Sequence, residues 1–182
     1  MARLLQIAEI GHPVLREKAL PVNDVRSPDI QSLIDDMLAT LEDLDGAGIA
    51  APQVYESHRM IVVASRPSPR YPDAPELAPE VMVNPELVWS SDTTEKGWEA
   101  CLSVPGLRAL VPRSKSIRVR YTTRDGKPKA QEFSDFVARV FLHEFDHLDG
   151  LVYLDRVESN RDIISEKEYQ KMDTDNDEDS EQ

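Results

Sequence analysis

His143-Glu144-Phe145-Asp146-His147 sets two imidazoles four residues apart inside a stretch of helical periodicity, so both project from one face, one turn apart. Nitrogens placed this way reach a single ion at about 2.0 to 2.1 Å, and Glu144 stands beside the first of them, close enough to move a proton without ligating. A catalytic ion wants three protein ligands and one open position. Cys101, the single cysteine, offers the third donor from Trp98-Glu99-Ala100-Cys101-Leu102-Ser103-Val104-Pro105-Gly106, a turn-prone stretch between strands. Each feature taken alone has a plainer reading. A histidine pair at this spacing also serves as surface charge, and a cysteine between Ala100 and Leu102 is most often a small buried hydrophobe. Glu144 and Asp146, taken singly, read as solvated helix residues, and His12 and His58 as structural or surface.

Gly46-Ala47-Gly48-Ile49-Ala50-Ala51-Pro52-Gln53 is a third unusual segment. Its small residues let the main chain approach a ligand closely, and Gln53 carries an amide that donates hydrogen bonds. It contains no lysine or arginine and no phosphate-loop lysine follows, which argues against phosphate binding. Its plainer reading is a helix stop and a tight packing turn.

These segments need elements to position them. Ser27-Pro28 supplies an N-cap and a first-turn proline, and Ile30, Leu33, Ile34, Met37, Leu38 and Leu41 follow at helical spacing, predicting an N-terminal helix that ends near Asp45-Gly46. Gly11-His12-Pro13-Val14-Leu15-Arg16 reads as a turn leading into an extended, wrapping arm. Met60 to Ala64 predicts a buried strand, and Arg66 to Pro79, with five of the 13 prolines, a surface loop. Further strands are expected at Val81 to Val83, Glu86 to Ser90, Ala109 to Val111 and Ile117 to Thr122, with an Asp125-Gly126 hairpin into Ala130 to Phe133. Ser134 or Asp135 caps the metal-binding helix, which stops at Asp149-Gly150. A weaker C-terminal helix is expected from about Asn160 to Met172. Strands without regular alternation with helices predict an α+β fold, with mixed or antiparallel strands around the central metal-binding helix.

The 182 residues suit one domain, taken as 1–172. Residues 173–182 carry six carboxylates and no cation, predicting a disordered acidic tail. A net charge of -13, from 34 acidic and 21 basic side chains, repels phosphate backbones, so nucleic acid is not expected as a partner. One cysteine makes no internal disulfide, and no apolar stretch reads as a signal peptide or membrane span, so the cytoplasm is expected. An organelle protein stripped of its targeting segment would look the same.

The glycine-alanine segment ending in glutamine, the Cys-Leu-Ser segment and the histidine-glutamate-histidine helix, in this order, resemble the peptide deformylase family. Gly11 to Arg16 and Arg108-Ala109-Leu110-Val111-Pro112-Arg113 resemble it too. The resemblance implies a hydrolase acting on a linear amide C–N bond, removing the N-formyl group from the initiator methionine of nascent polypeptides and releasing formate. It implies Cys101, His143 and His147 as metal ligands and Glu144 as the catalytic acid and base. It further implies that Gln53 and the Leu102 N–H meet the developing oxyanion, and that Gly48, Ala100 and Arg108 contact substrate. The ion it implies is one divalent cation, Fe2+ in the cell, with Zn2+, Ni2+ or Co2+ also able to occupy a purified sample. Formylmethionyl nascent peptides are the implied partners, with transient proximity to the ribosome.

Two positions depart from the commonest family pattern: Ala100 stands where glycine usually precedes the cysteine, and Leu142 where glutamine usually precedes the first histidine. Neither removes a ligand, though a methyl at Ala100 narrows a backbone edge that substrate would approach. The competing readings are a zinc peptidase, which leaves Cys101 and the glutamine-ending loop unexplained, and a deformylase-like binding protein without turnover or with altered specificity.

Overall fold

The computed structural model describes residues 2–67 and 74–179. Its centre is strand β2 (Met60–Ser65), whose apolar residues Met60 to Val63 are buried on both faces. Strand side chains alternate, so Ile61 and Val63 join one core and Met60 and Val62 the other. Helix α1 (Pro28–Asp43) covers the second face with Ile30, Ile34, Met37 and Leu41. Helix α2 (Asp135–Leu148) covers the first with Val137, Ala138, Phe141 and Leu148. The sheet between them has five antiparallel strands in the order β1 (Gly48–Ala50), β2, β3 (Leu77–Ser90), β6 (Ser116–Thr122), β7 (Pro128–Ser134).

A second antiparallel sheet, in the order β4 (Thr94–Cys101), β5 (Val104–Ser114), β8 (Ile163–Ser165), has its own core of Val104, Ala109, Val111, Val152 and Tyr153 around Cys101. Helix α3 (Glu166–Asp179) ends the described chain. This is the expected α+β class, with a helix-bearing sheet on either side of the histidine pair. Among the described residues no helix is long and apolar enough to cross a membrane.

Several local expectations are corrected. Pro13–Arg16 is a 3-10 turn, not an extended arm: the His12 ring accepts a hydrogen bond from the Val14 N–H at 3.2 Å, Pro13 fixes the first turn, and Val14 and Leu15 are buried. Ser27 precedes α1 as expected but its hydroxyl makes no cap bond, and the helix stops at Asp43. The two pieces expected at Val81 to Val83 and Glu86 to Ser90 are one strand, β3. Its pairing slips between Val83 and Glu86, where Asn84 takes a positive φ of 50° and its amide bonds both the N–H and the carbonyl of Val22, at 2.8 and 2.9 Å.

The expected proline loop ends earlier than Pro79, because β3 starts at Leu77, and Pro79 falls at a register shift where the ladder asks for no N–H. Residues 68–73 of that loop lie outside the described residues. The third helix starts at Glu166 rather than Asn160, since Ile163–Ser165 pairs with β5 instead. Its backbone runs to Asp179, through much of the stretch expected to be without structure, and residues 180–182 lie outside the described residues.

Candidate metal centre

Helix α2 lays one face on the large sheet and turns His143 and His147 toward the small one, with Glu144 against Gly48 of β1. The i, i+4 spacing puts the two imidazole centroids 5.3 Å apart. Strand β4 ends at Cys101, where Leu102 and Ser103 turn the chain back into β5. One donor atom each from Cys101, His143 and His147 lies within 4.8 Å of the others, and Cys101 Sγ is 3.3 Å from His147 Nε2. His147 is wholly buried and its Nδ1 has no hydrogen-bond partner among the described residues.

Glu99 explains the orientation of the first histidine. Its Oε2 sits 2.9 Å from His143 Nδ1, leaving Nε2 to face the thiol and the second imidazole. Arg113 holds the same carboxylate with two hydrogen bonds, at 2.9 and 3.0 Å, and Arg139 adds a third at 2.9 Å. Burial drives the Glu99 carboxyl up, but the bonds from His143 and Arg113 outweigh it and hold the group charged well below the usual carboxylate range. Arg113 also reaches Asp146 at 2.7 Å, and Arg156 closes on Asp146 from the far side at 2.7 Å. Asp146, expected to be solvated, is therefore buried in an arginine-bridged network.

Sequence reading missed Glu99, Arg113 and Arg139. A signal was present for two of them: in a strand, residues two apart share a face, which puts Glu99 beside Cys101, and Arg113 in line with the buried Ala109 and Val111.

Glu144 is 4% exposed, its Oε2 finds no partner among the described residues, and burial pushes its carboxyl up to about 7. A carboxyl poised near neutrality can both take and return a proton. Against it lies Gly48, where a Cβ would stand 2.6 Å from Glu144 Oε1. The Gln53 side chain is aimed from its other end: Oε1 accepts the Ala50 N–H at 2.8 Å, so Nε2 points to Ser103 Oγ at 3.3 Å and Cys101 Sγ at 3.5 Å. The N-terminal arm braces this corner, with the Ala8 N–H on the Gln53 carbonyl and the Ile10 N–H on the Ser103 carbonyl, both at 2.7 Å.

Gly48, Gln53, Ala100, Cys101, Leu102, His143 and Glu144 all line one cavity, together with Trp98, Phe136, Arg139 and Val140. Arg108, expected to contact substrate, is not among the residues that line it: it is 1% exposed and its guanidinium bonds Glu166 at 2.5 and 3.1 Å. Leu142, half-buried on α2, packs with the sheet core, which an apolar residue suits better than the family's amide.

The donors fit a divalent cation. One sulfur and two imidazole nitrogens suit a zinc-like or iron-like ion, and the orphaned Glu144 oxygen beside them is a buried acceptor placed for a ligand. The family model for polypeptide deformylase matches residues 4–162. The chain belongs to the peptide deformylase family. It is 54% identical over 173 residues to peptide deformylase 2 of Nostoc sp., covering 95% of this chain and 97% of that one. Peptide deformylase 2 of Shewanella oneidensis is 44% identical over 152 residues, with 84% and 83% covered. Among solved structures, a class I type b peptide deformylase of Acinetobacter baumannii with Met-Ala-Ser bound superposes with a TM-score of 0.84 at 45% identity, covering 86% of this chain and all of that one. A peptide deformylase of Thermotoga maritima gives a TM-score of 0.76 at 35% identity, with 86% and 99% covered. The protein is thus a metal-dependent hydrolase that takes the N-formyl group from newly made polypeptides.

Proposed function

We propose that Cys101, His143 and His147 hold one iron(II) ion at this site and that the formylated amino terminus of a nascent chain lies in the cavity beside it. The observation that carries this reading is the convergence of three donors from β4 and α2 within 4.8 Å, with the buried Glu144 carboxyl lining the same cavity. When bound, the ion supplies the Lewis acidity that makes water a nucleophile near neutral pH. Glu99 keeps His143 in the tautomer whose Nε2 is free to ligate.

Glu144 takes the proton from the attacking water and delivers it to the departing amine, so the formyl carbon leaves as formate and the peptide keeps a free amino terminus. As the formyl carbonyl becomes tetrahedral, its oxygen is met by the Gln53 amide N–H and the Leu102 backbone N–H. Gln53 needs no rearrangement for this, because the Ala50 N–H already holds its other end. Gly48 and Ala100 stand on the two edges between which the peptide backbone runs. The methionine side chain enters toward Trp98, Phe136, Arg139 and Val140. The Met-Ala-Ser bound by the Acinetobacter relative is what formyl-Met-Ala-Ser becomes once its formyl group is gone, which supports the same seating here.

Residues 1–172 form the catalytic domain, working in the cytoplasm close to the ribosome, on a surface other than the acidic C-terminus. Affinity alone would favour zinc at these ligands, so iron occupancy rests on supply and handling. Anaerobic purification followed by metal analysis and a formate-release assay on one sample tests the assignment. Wild type should carry about one iron and release formate from formyl-Met-Ala-Ser. Glu144→Gln should keep the metal and lose about 10²- to 10⁴-fold in kcat. Full turnover in Glu144→Gln would refute its role.

A further inference from the structure

Helix α3 lies outside the segment matched by the family model, yet it touches a wall of the catalytic cavity. The Tyr169 ring packs edge-on against Trp98, centroids 5.4 Å apart and planes at 69°. On its other side Tyr169 receives the Arg108 guanidinium, 4.2 Å from the ring centroid. Arg108 in turn holds Glu166, the first residue of the helix, and pairs in register with Ile164 of β8. The buried arginine is thus the socket of the C-terminal helix, and Tyr169 links that socket to Trp98.

We propose that Tyr169 is a positioning residue for substrate selection: it fixes the Trp98 indole as a wall of the pocket that takes the methionine side chain. The inference rests on the reading of that cavity as the methionine pocket. Trp98 is only half-buried and sits on β4, an outer strand of the small sheet. An indole there has room to swing unless something holds its free edge. Tyr169 supplies that edge contact from α3, which packs on β5 and β8 and carries none of the three metal donors, so it acts on binding and side-chain choice and not on the chemical step.

The test uses the full chain with its metal. Tyr169→Ala, at a half-buried position of α3, should raise KM for formyl-Met-Ala-Ser by about 3- to 10-fold, the worth of one aromatic pair, with kcat within about twofold. It should also shrink the preference for formyl-Met over formyl-Phe peptides by a similar factor. Tyr169→Phe should restore both, because the contact uses the ring and not the hydroxyl. In a Trp89→Phe background, where Trp98 is the only tryptophan, Tyr169→Ala should broaden and red-shift the emission, and formyl-Met-Ala-Ser should quench it more weakly at a given concentration. Trp98→Ala separates the two layers of the argument. If Trp98→Ala leaves first-residue preference intact, the methionine-pocket reading is wrong. If Trp98→Ala relaxes the preference while Tyr169→Ala changes neither KM nor selectivity, the role given to Tyr169 is wrong and the pocket stands. Failure of Tyr169→Phe to rescue would overturn it as well.

Discussion

Gly48→Ala isolates the fit between the glycine-alanine strand and the proton carrier. The added methyl would lie 2.6 Å from Oε1, 2.7 Å from Cγ and 2.9 Å from Cδ of Glu144, all of them atoms of one side chain. An ordinary contact begins near 3.4 Å. The carboxylate must therefore retreat by about 0.8 Å, since the strand behind Gly48 is pinned by pairing to Val63. Gly48 does not occupy the left-handed region, so alanine suits its backbone and the effect is confined to the displaced group. A misplacement near 1 Å in a positioned catalytic group costs about 10²-fold, or about 2.7 kcal/mol of barrier. Formate release should show kcat falling by about that factor, with KM within about threefold and metal content unchanged. Thermal melting should shift little, because the methyl is accommodated by side-chain movement. A Gly48→Ala enzyme with wild-type kcat and full metal would refute the claim that the position of the Glu144 carboxylate limits turnover.

Glu99→Gln should weaken metal binding by about 10- to 100-fold in competition with a chelator, because the charge that orients and enriches His143 is lost. The same change leaves Arg113 and Arg139 facing a neutral amide in a buried place, so a drop of about 3 kcal/mol in urea unfolding should accompany it. Asp36→Asn should destabilise the fold by about 1 to 3 kcal/mol at neutral pH, since the buried carboxylate accepts the Arg3 backbone N–H at 2.7 Å and its guanidinium at 3.0 and 3.2 Å. The Arg3 N–H, ahead of the opposing effect of burial, holds the Asp36 carboxyl below its usual value. A depressed folded-state pKa stabilises fully above about pH 4 and loses that stabilisation as pH falls through the folded value. The gap between wild type and Asp36→Asn should thus close in unfolding curves below pH 4, and a gap independent of pH would argue against an ionic origin.

Much of the architecture is written in periodicities that need no tertiary knowledge. The α1 stripe and the α2 stripe each face one side of the same sheet, and β2 is apolar from Met60 to Ala64 because it meets both. Where the reading slipped, a long-range partner had overridden a local signal. Asn84-Pro85 looks like a break between strands, but the Asn84 amide is bound by Val22, 62 residues earlier, and the strand runs through. Asn160 to Ser165 has the polarity of a helix start, but Arg108 and its neighbours on β5 claim Ile163–Ser165 as a third strand. The 3-10 turn at Pro13 likewise depends on burial of Val14 and Leu15, which composition does not announce.

The groups expected to do the chemistry were legible because ligands and proton carriers are rare types at fixed spacing; the groups that hold them were not, because arginine and glutamate are common. Physics nevertheless requires the second set. A buried, ionised Glu99 beside His143 would be costly alone, and Asp146 on the same helix doubles the problem. Arg113, shared between the two carboxylates, offsets both, with Arg139 and Arg156 each closing one end. Arg139 spends its remaining hydrogen bonds on the carbonyls of Glu95, Gly97 and Val111, so the network also stitches α2 to β4 and β5. Gly97 is part of that stitch, since a Cβ there would stand 2.8 Å from the Arg139 guanidinium carbon. The thiol comes from β4 and the imidazoles from α2, two elements with no turn between them to fix their distance. The buried arginines set that distance, and so they, as much as the donors, make one ion's ligands out of two separate pieces of chain.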